Sequence, residues 1–208
     1  MIAKEMIYPG DTRALVWWLV EEAPCLLAMC RDAGIHVDDL LDLPVKRQRE
    51  VAAERLLLQQ AFGKPVTLTH DGQGAPMVTG MDGSISITHT VGLVGLAWNA
   101  HLVVGLDAER IDRRQVIKVR DKFLNAAEQQ FIAEDDQAAH IIAWTAKEAI
   151  IKAERNSAID WTEGICLEPP VAEGGETIFD ARYAERRYRL VSRLLQGHII
   201  TLALPVEE

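Results

Sequence analysis

Leu102-Val103-Val104-Gly105-Leu106-Asp107-Ala108-Glu109-Arg110 stands at the middle of the 208-residue chain. The apolar run 102–106 predicts a buried strand. It closes in two carboxylates, Asp107 and Glu109, two positions apart. Strand side chains alternate, so both carboxylates share a face. Two neighbouring carboxylates repel unless a cation stands between them. Hard oxygen donors of this kind suit Mg²⁺, which is commonly held by one or two carboxylates plus substrate phosphates. The same pair also reads as a polar strand end with Arg110 or Arg113 as ion-pair partners on a solvated surface. The two residues alone do not choose.

Toward the N-terminus, 93–98, 84–88 and 66–69 read as strands, with turn chemistry in His70-Asp71-Gly72-Gln73-Gly74-Ala75-Pro76. Pro44 precedes a helix, KRQREVAAERLLLQQAFG, with Val51, Leu58 and Phe62 on one side and a stop at Gly63 and Pro65. Residues 15–20 predict a strand and 21–30 a helix. Toward the C-terminus, 113–123, 126–134 and 137–155 predict helices. Asn125 is placed to cap the second of these, with Glu128 as its capping-box partner. Strands are predicted over 164–167, 177–180, 188–194 and 198–204, split by Gly174-Gly175 and Gly197. Each half runs helix plus several strands. The expected fold is therefore α+β in two similar subdomains, 1–104 and 105–208.

Lys and Arg number 22 against 31 Asp and Glu, giving 22 − 31 = −9 with neutral histidines. That excludes a global basic field for nucleic acid. No apolar run approaches the roughly 20 residues of a membrane-spanning helix. The start, MIAKEMIYPGD, has no continuous apolar stretch or small-residue cleavage site, so no signal peptide is expected. Cys25, Cys30 and Cys166 form no metal-type spacing and read as reduced thiols of a cytoplasmic protein.

Two further stretches carry chemistry. In Trp144-Thr145-Ala146-Lys147-Glu148-Ala149-Ile150-Ile151-Lys152, the residues Ile142, Ala146, Ala149 and Ala153 form an apolar helical stripe. Glu148 and Lys152, one turn apart, border it. They read either as a helix-stabilising pair or as an acidic ligand beside a phosphate-binding lysine. In Ser86-Ile87-Thr88-His89-Thr90, His89 closes a strand where it can meet a phosphate or serve as a satisfied structural histidine.

Taken in order, ISITHT, VGLDAE and WTAKEAIIK resemble the signature set of the 4′-phosphopantetheinyl transferase superfamily, in its longer, surfactin-type monomeric branch. That pattern is (N/S)-(I/L)-S-H-(S/T), (V/I)-G-(V/I)-D-x-E and (F/W)-(S/T)-x-K-E-(A/S)-x-x-K. Thr88 replaces the usual Ser, and Leu106 the usual Val or Ile. Lys46-Arg47-Gln48-Arg49-Glu50 with Arg55 resembles the family's basic helix. Gly74-Ala75-Pro76 resembles its G-K-P turn without the lysine, and Phe123-Leu124-Asn125-Ala126-Ala127-Glu128 its F-(F/L)-(S/N)-x-x-E element. After Lys152 the family's A-x-G gives way to Ala153-Glu154-Arg155. The similarity runs from about Lys46 to Lys152.

The resemblance implies two subdomains related by pseudo-twofold symmetry, each a small mostly antiparallel sheet with packed helices, and an active site at their interface. It implies transfer of the 4′-phosphopantetheine group of coenzyme A to a serine of an apo acyl or peptidyl carrier protein. Asp107, Glu109 and Glu148 would hold Mg²⁺, with Mn²⁺ as an alternative. Lys152 would contact the pyrophosphate, and Glu148 or a metal-positioned water would take the serine proton. His89, with Lys46, Arg47 or Arg49, would hold the 3′-phosphate, with Thr88 and Lys147 also on the coenzyme. The acidic carrier would dock near Arg110, Arg113, Arg114 and Lys118, within a basic run reaching Lys122, and the enzyme would be a monomer. Two other readings stand beside it: a non-catalytic binding module for coenzyme A or carrier protein, and another Mg²⁺-dependent nucleotide phosphotransferase.

Overall fold

The computed structural model describes residues 4–8 and 10–206. Residues 1–3, 9, 207 and 208 lie outside it, and with them the outermost ends of the two expected subdomains and part of the N-terminal stretch read for a signal peptide.

The first half opens with strands β1 (Lys4–Tyr8) and β2 (Thr12–Trp18), then helices α1 (Ala23–Asp32) and α2 (Val45–Phe62). Pro44 leads into α2, and Gly63, in the left-handed conformation that glycine adopts without strain, ends it. A short hairpin, β3 (Leu68–His70) and β4 (Pro76–Val78), follows, then β5 (Ser84–Thr90) and β6 (Leu93–Asn99). β1, β2, β6 and β5 lie in that order as one antiparallel sheet.

β7 (Gly105–Arg110) starts later than expected and carries Asp107 and Glu109 within the strand. Asn99 explains the shift: its side-chain carbonyl accepts from the amides of His101 and Leu102 and holds these residues in a turn. Next come α3 (Gln115–Lys118), α4 (Glu128–Phe131) and α5 (Gln137–Glu154). The helix expected over 113–123 is broken into α3 and a 3₁₀ turn over Arg120–Lys122. Val116, Ile117 and Val119 lose side-chain freedom in a helix, and Arg114, Lys118 and Lys122 repel at i, i+4 spacing. The strands β8 (Ile165–Leu167), β9 (Val171–Glu173), β10 (Glu176–Tyr183), β11 (Arg186–Leu195) and β12 (His198–Pro205) complete the chain. β7, β12, β11, β10 and β8 form the second sheet in that order, with β9 on β10.

Alternation along the strands sorts the apolar side chains into three cores. Leu15, Trp17, Val94 and Leu96 face α1 and α2. Val16, Leu93 and Ala97 face the second sheet, meeting Leu106, Ala108, Ile200 and Leu202. Ile199, Ala203 and Leu190 pack beneath α5 on Ala146, Ala149 and Ile150. The fold is thus α+β with antiparallel sheets, the helices outermost and the sheets facing each other. Among the described residues no helix is long and apolar enough to cross a membrane. All three cysteines are free, and burial pushes the Cys30 thiol up to about 11.

Candidate active site

The edge strands β5 and β7 meet along a row of hydroxyls. Ser84, Ser86 and Thr88, spaced two apart, place Oγ on one face of β5. They accept the amides of Val104 (3.1 Å), Leu106 (2.9 Å) and Ala108 (3.2 Å) in turn. These amides point away from β12, so the side chains of β5 satisfy what no neighbouring strand does. The row then turns to the carboxylates. Thr88 Oγ1 donates to Asp107 Oδ1 at 3.0 Å, and Thr90 Oγ1 donates to Glu109 Oε1 at 2.8 Å. Asp107 and Glu109 therefore share the β5-facing side, as the period of two requires.

Cations from the second half close on the same oxygens. Lys152 Nζ, near the end of α5, donates to Asp107 Oδ1 (2.7 Å) and to the Leu106 carbonyl (3.0 Å). Arg113 pairs with Glu109 and lies over the Trp144 ring, 5.1 Å from its centroid. α5 comes this close because residue 105 is glycine: a Cβ there would sit 1.8 Å from the Ala149 carbonyl oxygen. Glu148, one turn before Lys152, has no hydrogen bond or ion pair among the described residues. Burial first, and the Asp107 charge second, raise its carboxyl above the ordinary range.

Among the described residues no three His, Cys, Asp or Glu side chains are gathered closely enough to hold a metal ion. Asp107, Glu109 and Glu148 are therefore not a preformed cage, because Lys152 and Arg113 occupy the first two. The donor chemistry still fits a hard divalent cation. Two carboxylates share a strand face, and a third, with no partner among the described residues, is close enough to Asp107 to be repelled by it.

The nucleotide residues divide. Lys46 and His89 line one cavity of about 530 Å³ together with Thr90, Glu109, Arg110 and Arg113. His89 Nε2 stands 3.0 Å from Glu54 Oε2, an ion-pair distance without hydrogen-bond alignment. Arg47 lines a separate cavity of about 510 Å³ with Arg55 and Glu54. Arg49 is committed to the chain itself, bonding the carbonyls of Glu21 (2.7 Å) and Leu19 (2.6 Å).

Two expected coenzyme contacts are corrected. Thr88 is buried and spends its hydroxyl on Asp107 and the Ala108 amide. Lys147 is fully buried: its Nζ bonds Glu128 Oε2 (2.7 Å) and the carbonyls of Trp161 (2.6 Å) and Ile165 (3.0 Å). All three ammonium protons are used, so Lys147 has nothing to offer a coenzyme. Its partner Glu128 also accepts the Asn125 amide while Asn125 Oδ1 accepts that of Glu128, the expected capping box.

Residues that sequence reading passed over include Ser84, Thr90, Glu54 and Arg155. For the hydroxyls a signal existed, since Ser84-x-Ser86-x-Thr88-x-Thr90 repeats at the strand period. For Glu54 and Arg155 only the folded contacts reveal a partner.

The chain is an α+β protein whose two antiparallel sheets meet along a row of hydroxyls that ends in two carboxylates, each paired with a cation from the second half. The family model of the 4′-phosphopantetheinyl transferase superfamily matches residues 103–203. That stretch, β7 through most of β12, is a domain of this transferase superfamily. No curated protein matches the chain.

Proposed function

We propose that the chain transfers the 4′-phosphopantetheine arm of coenzyme A to a serine of an apo carrier protein, releasing adenosine 3′,5′-bisphosphate. The observation that carries this reading is the Asp107–Lys152 pair inside the matched domain, with Glu148, which has no partner among the described residues, beside it. The serine oxygen attacks the phosphorus that bears the pantetheine, and the bond from that phosphorus to the pyrophosphate's bridging oxygen breaks. Lys152 neutralises charge gathering on the pyrophosphate. Glu148, or a water positioned by the metal, accepts the serine proton. No covalent enzyme intermediate is needed.

Asp107, Glu109 and Glu148 would hold Mg²⁺, with Mn²⁺ as the alternative. Bound there, the ion would supply charge neutralisation across the pyrophosphate. Mg²⁺ does not require a dedicated protein cage, since substrate phosphates and waters complete its shell. That accords with carboxylates that are near one another yet not clustered. Lys46 and His89, sharing a cavity with Glu109, are the residues best placed for the nucleotide's 3′-phosphate. In this reading the halves 1–104 and 105–208 are subdomains of one monomer of the surfactin-type branch, related by pseudo-twofold symmetry, with the reaction at their seam. The protein works in the cytoplasm, and the acidic carrier approaches by the segment that starts at Arg110.

Mixing the purified protein, coenzyme A, Mg²⁺ and several apo carriers tests this. The expected result is a carrier mass gain of one phosphopantetheine arm, abolished by Asp107→Ala. No gain on any carrier overturns the reading. Coenzyme A and its 3′-dephospho form should differ in affinity, and equal binding removes the role given to Lys46 and His89.

A further inference from the structure

Lys152 lines a third cavity, and Arg155 stands beside it. Arg155 follows the last residue of α5 and takes the left-handed backbone conformation (φ 53°) that glycine fills most easily. Its amide bonds back to the carbonyls of Ile151 and Lys152, which fixes where the side chain leaves the helix. The guanidinium crosses to the β3–β4 turn, where Nη1 lies 3.3 Å from Asp71 Oδ2. Asp71 Oδ1 is already taken by the amides of Gln73 and Ala75, each at 2.9 Å. Arg155 thus makes one long contact to one oxygen. A guanidinium carries five N–H donors in a flat fork, and the others have no hydrogen-bond partner among the described residues.

Lys152, Arg155 and Ser157 line a cavity of about 260 Å³ with Gly74 and Ala75, and no acidic side chain is among its lining residues. Two cations, three positions apart, thus face one open space that adjoins Asp107 through Lys152. A planar fork with spare donors suits paired phosphate oxygens better than the single carboxylate oxygen it now meets.

We infer that Arg155 is a phosphate-binding residue of the substrate site, gripping the pyrophosphate of coenzyme A alongside Lys152 and leaving Asp71 when it does so. This rests on the proposed function and adds to it a binding residue from the end of α5. Asp71 is then a placeholder that keeps the fork in position.

Calorimetric titration of coenzyme A and of 3′-dephospho-coenzyme A into wild type, Arg155→Met, Arg155→Lys and Asp71→Asn tests the inference. A charge-assisted hydrogen bond contributes about 1.5–3 kcal/mol, roughly ten- to a hundredfold in affinity. Arg155→Met should therefore weaken both ligands by the same factor, at least about tenfold, because both carry the pyrophosphate. Arg155→Lys, which keeps the charge and loses the fork, should fall between. Asp71→Asn keeps the turn's acceptor and removes the competing charge, so it should bind as tightly as wild type or tighter. If Arg155→Met and Asp71→Asn weaken binding alike, the pair is a structural latch and the inference fails. It fails equally if Arg155→Met, or Arg155→Lys where the Met variant does not fold, binds like wild type. Wild-type protein that binds neither ligand overturns the proposed function and the inference together.

Discussion

Lys147 and Glu148 are neighbours in sequence, yet a helix turns adjacent side chains roughly 100° apart. Lys147 enters the core and Glu148 faces the seam. The ammonium of Lys147 is out of contact with water and survives only because Glu128 and two carbonyls surround it. Burial pulls its pKa down while Glu128 holds it up. Removing one partner of a buried pair strands the other, at about 3–5 kcal/mol. Lys147→Met should accordingly lower stability by that order in urea unfolding, with coenzyme A affinity unchanged in whatever fraction stays folded. A variant as stable as wild type would contradict this account. Here the sequence was legible only in part. The motif gave both residues, and the Asn125–Glu128 capping box was plain from spacing. That Glu128 also reaches Lys147 and the Leu167 amide could not be read, because those partners come from distant elements.

Elements meet at the site by close approach. β7 and α5 nearly touch at Gly105, where a methyl group would sit 1.8 Å from a backbone oxygen that cannot move without the helix. Overpacking of this kind costs about 1–3 kcal/mol or more. Gly105→Ala should lower the melting temperature and also shift Lys152 off Asp107, so that transfer falls beyond what the loss of folded protein explains. β5 and β7 meet through hydroxyls instead, and Thr88 serves two partners with one oxygen. Thr88→Val leaves the buried Ala108 amide unpaired, at about 1–3 kcal/mol, whereas Thr88→Ser should restore most of the stability. Equal stability of the Val and Ser variants in denaturant titration would remove this role. Strand and helix existence were legible from periodicity through most of the chain. Boundaries failed where side chains intervened, as Asn99 does before β7, and where like charges and β-branched residues broke the segment 113–123.

Over the whole molecule, a charge of −9 coexists with a local basic segment. Its members are not equivalent. Arg110 pairs with Asp112, Arg113 with Glu109, and Arg120 reaches Glu134 at 3.4 Å. Arg114, Lys118 and Lys122 are exposed and have no ion-pair partner among the described residues, so they are the charges free to steer the acidic carrier of the proposed reaction. Reversing Arg114 and Lys118 to Glu should raise the carrier KM and leave the coenzyme A KM nearly unchanged. The difference should shrink as salt shortens the screening length from about 10 Å at 0.1 M toward 3 Å at 1 M. Flat salt dependence and unaltered carrier kinetics would place docking elsewhere. The hydroxyl row also sets a rhythm in time. Amide protons of Val104, Leu106 and Ala108 are guarded by side-chain oxygens of the first half, while the alternate amides of β7 face β12. If the halves part without unfolding, every second proton along one strand should exchange with deuterium early while its neighbours wait for global opening. Uniform exchange rates along β7 would mean that the halves separate only when the whole chain does.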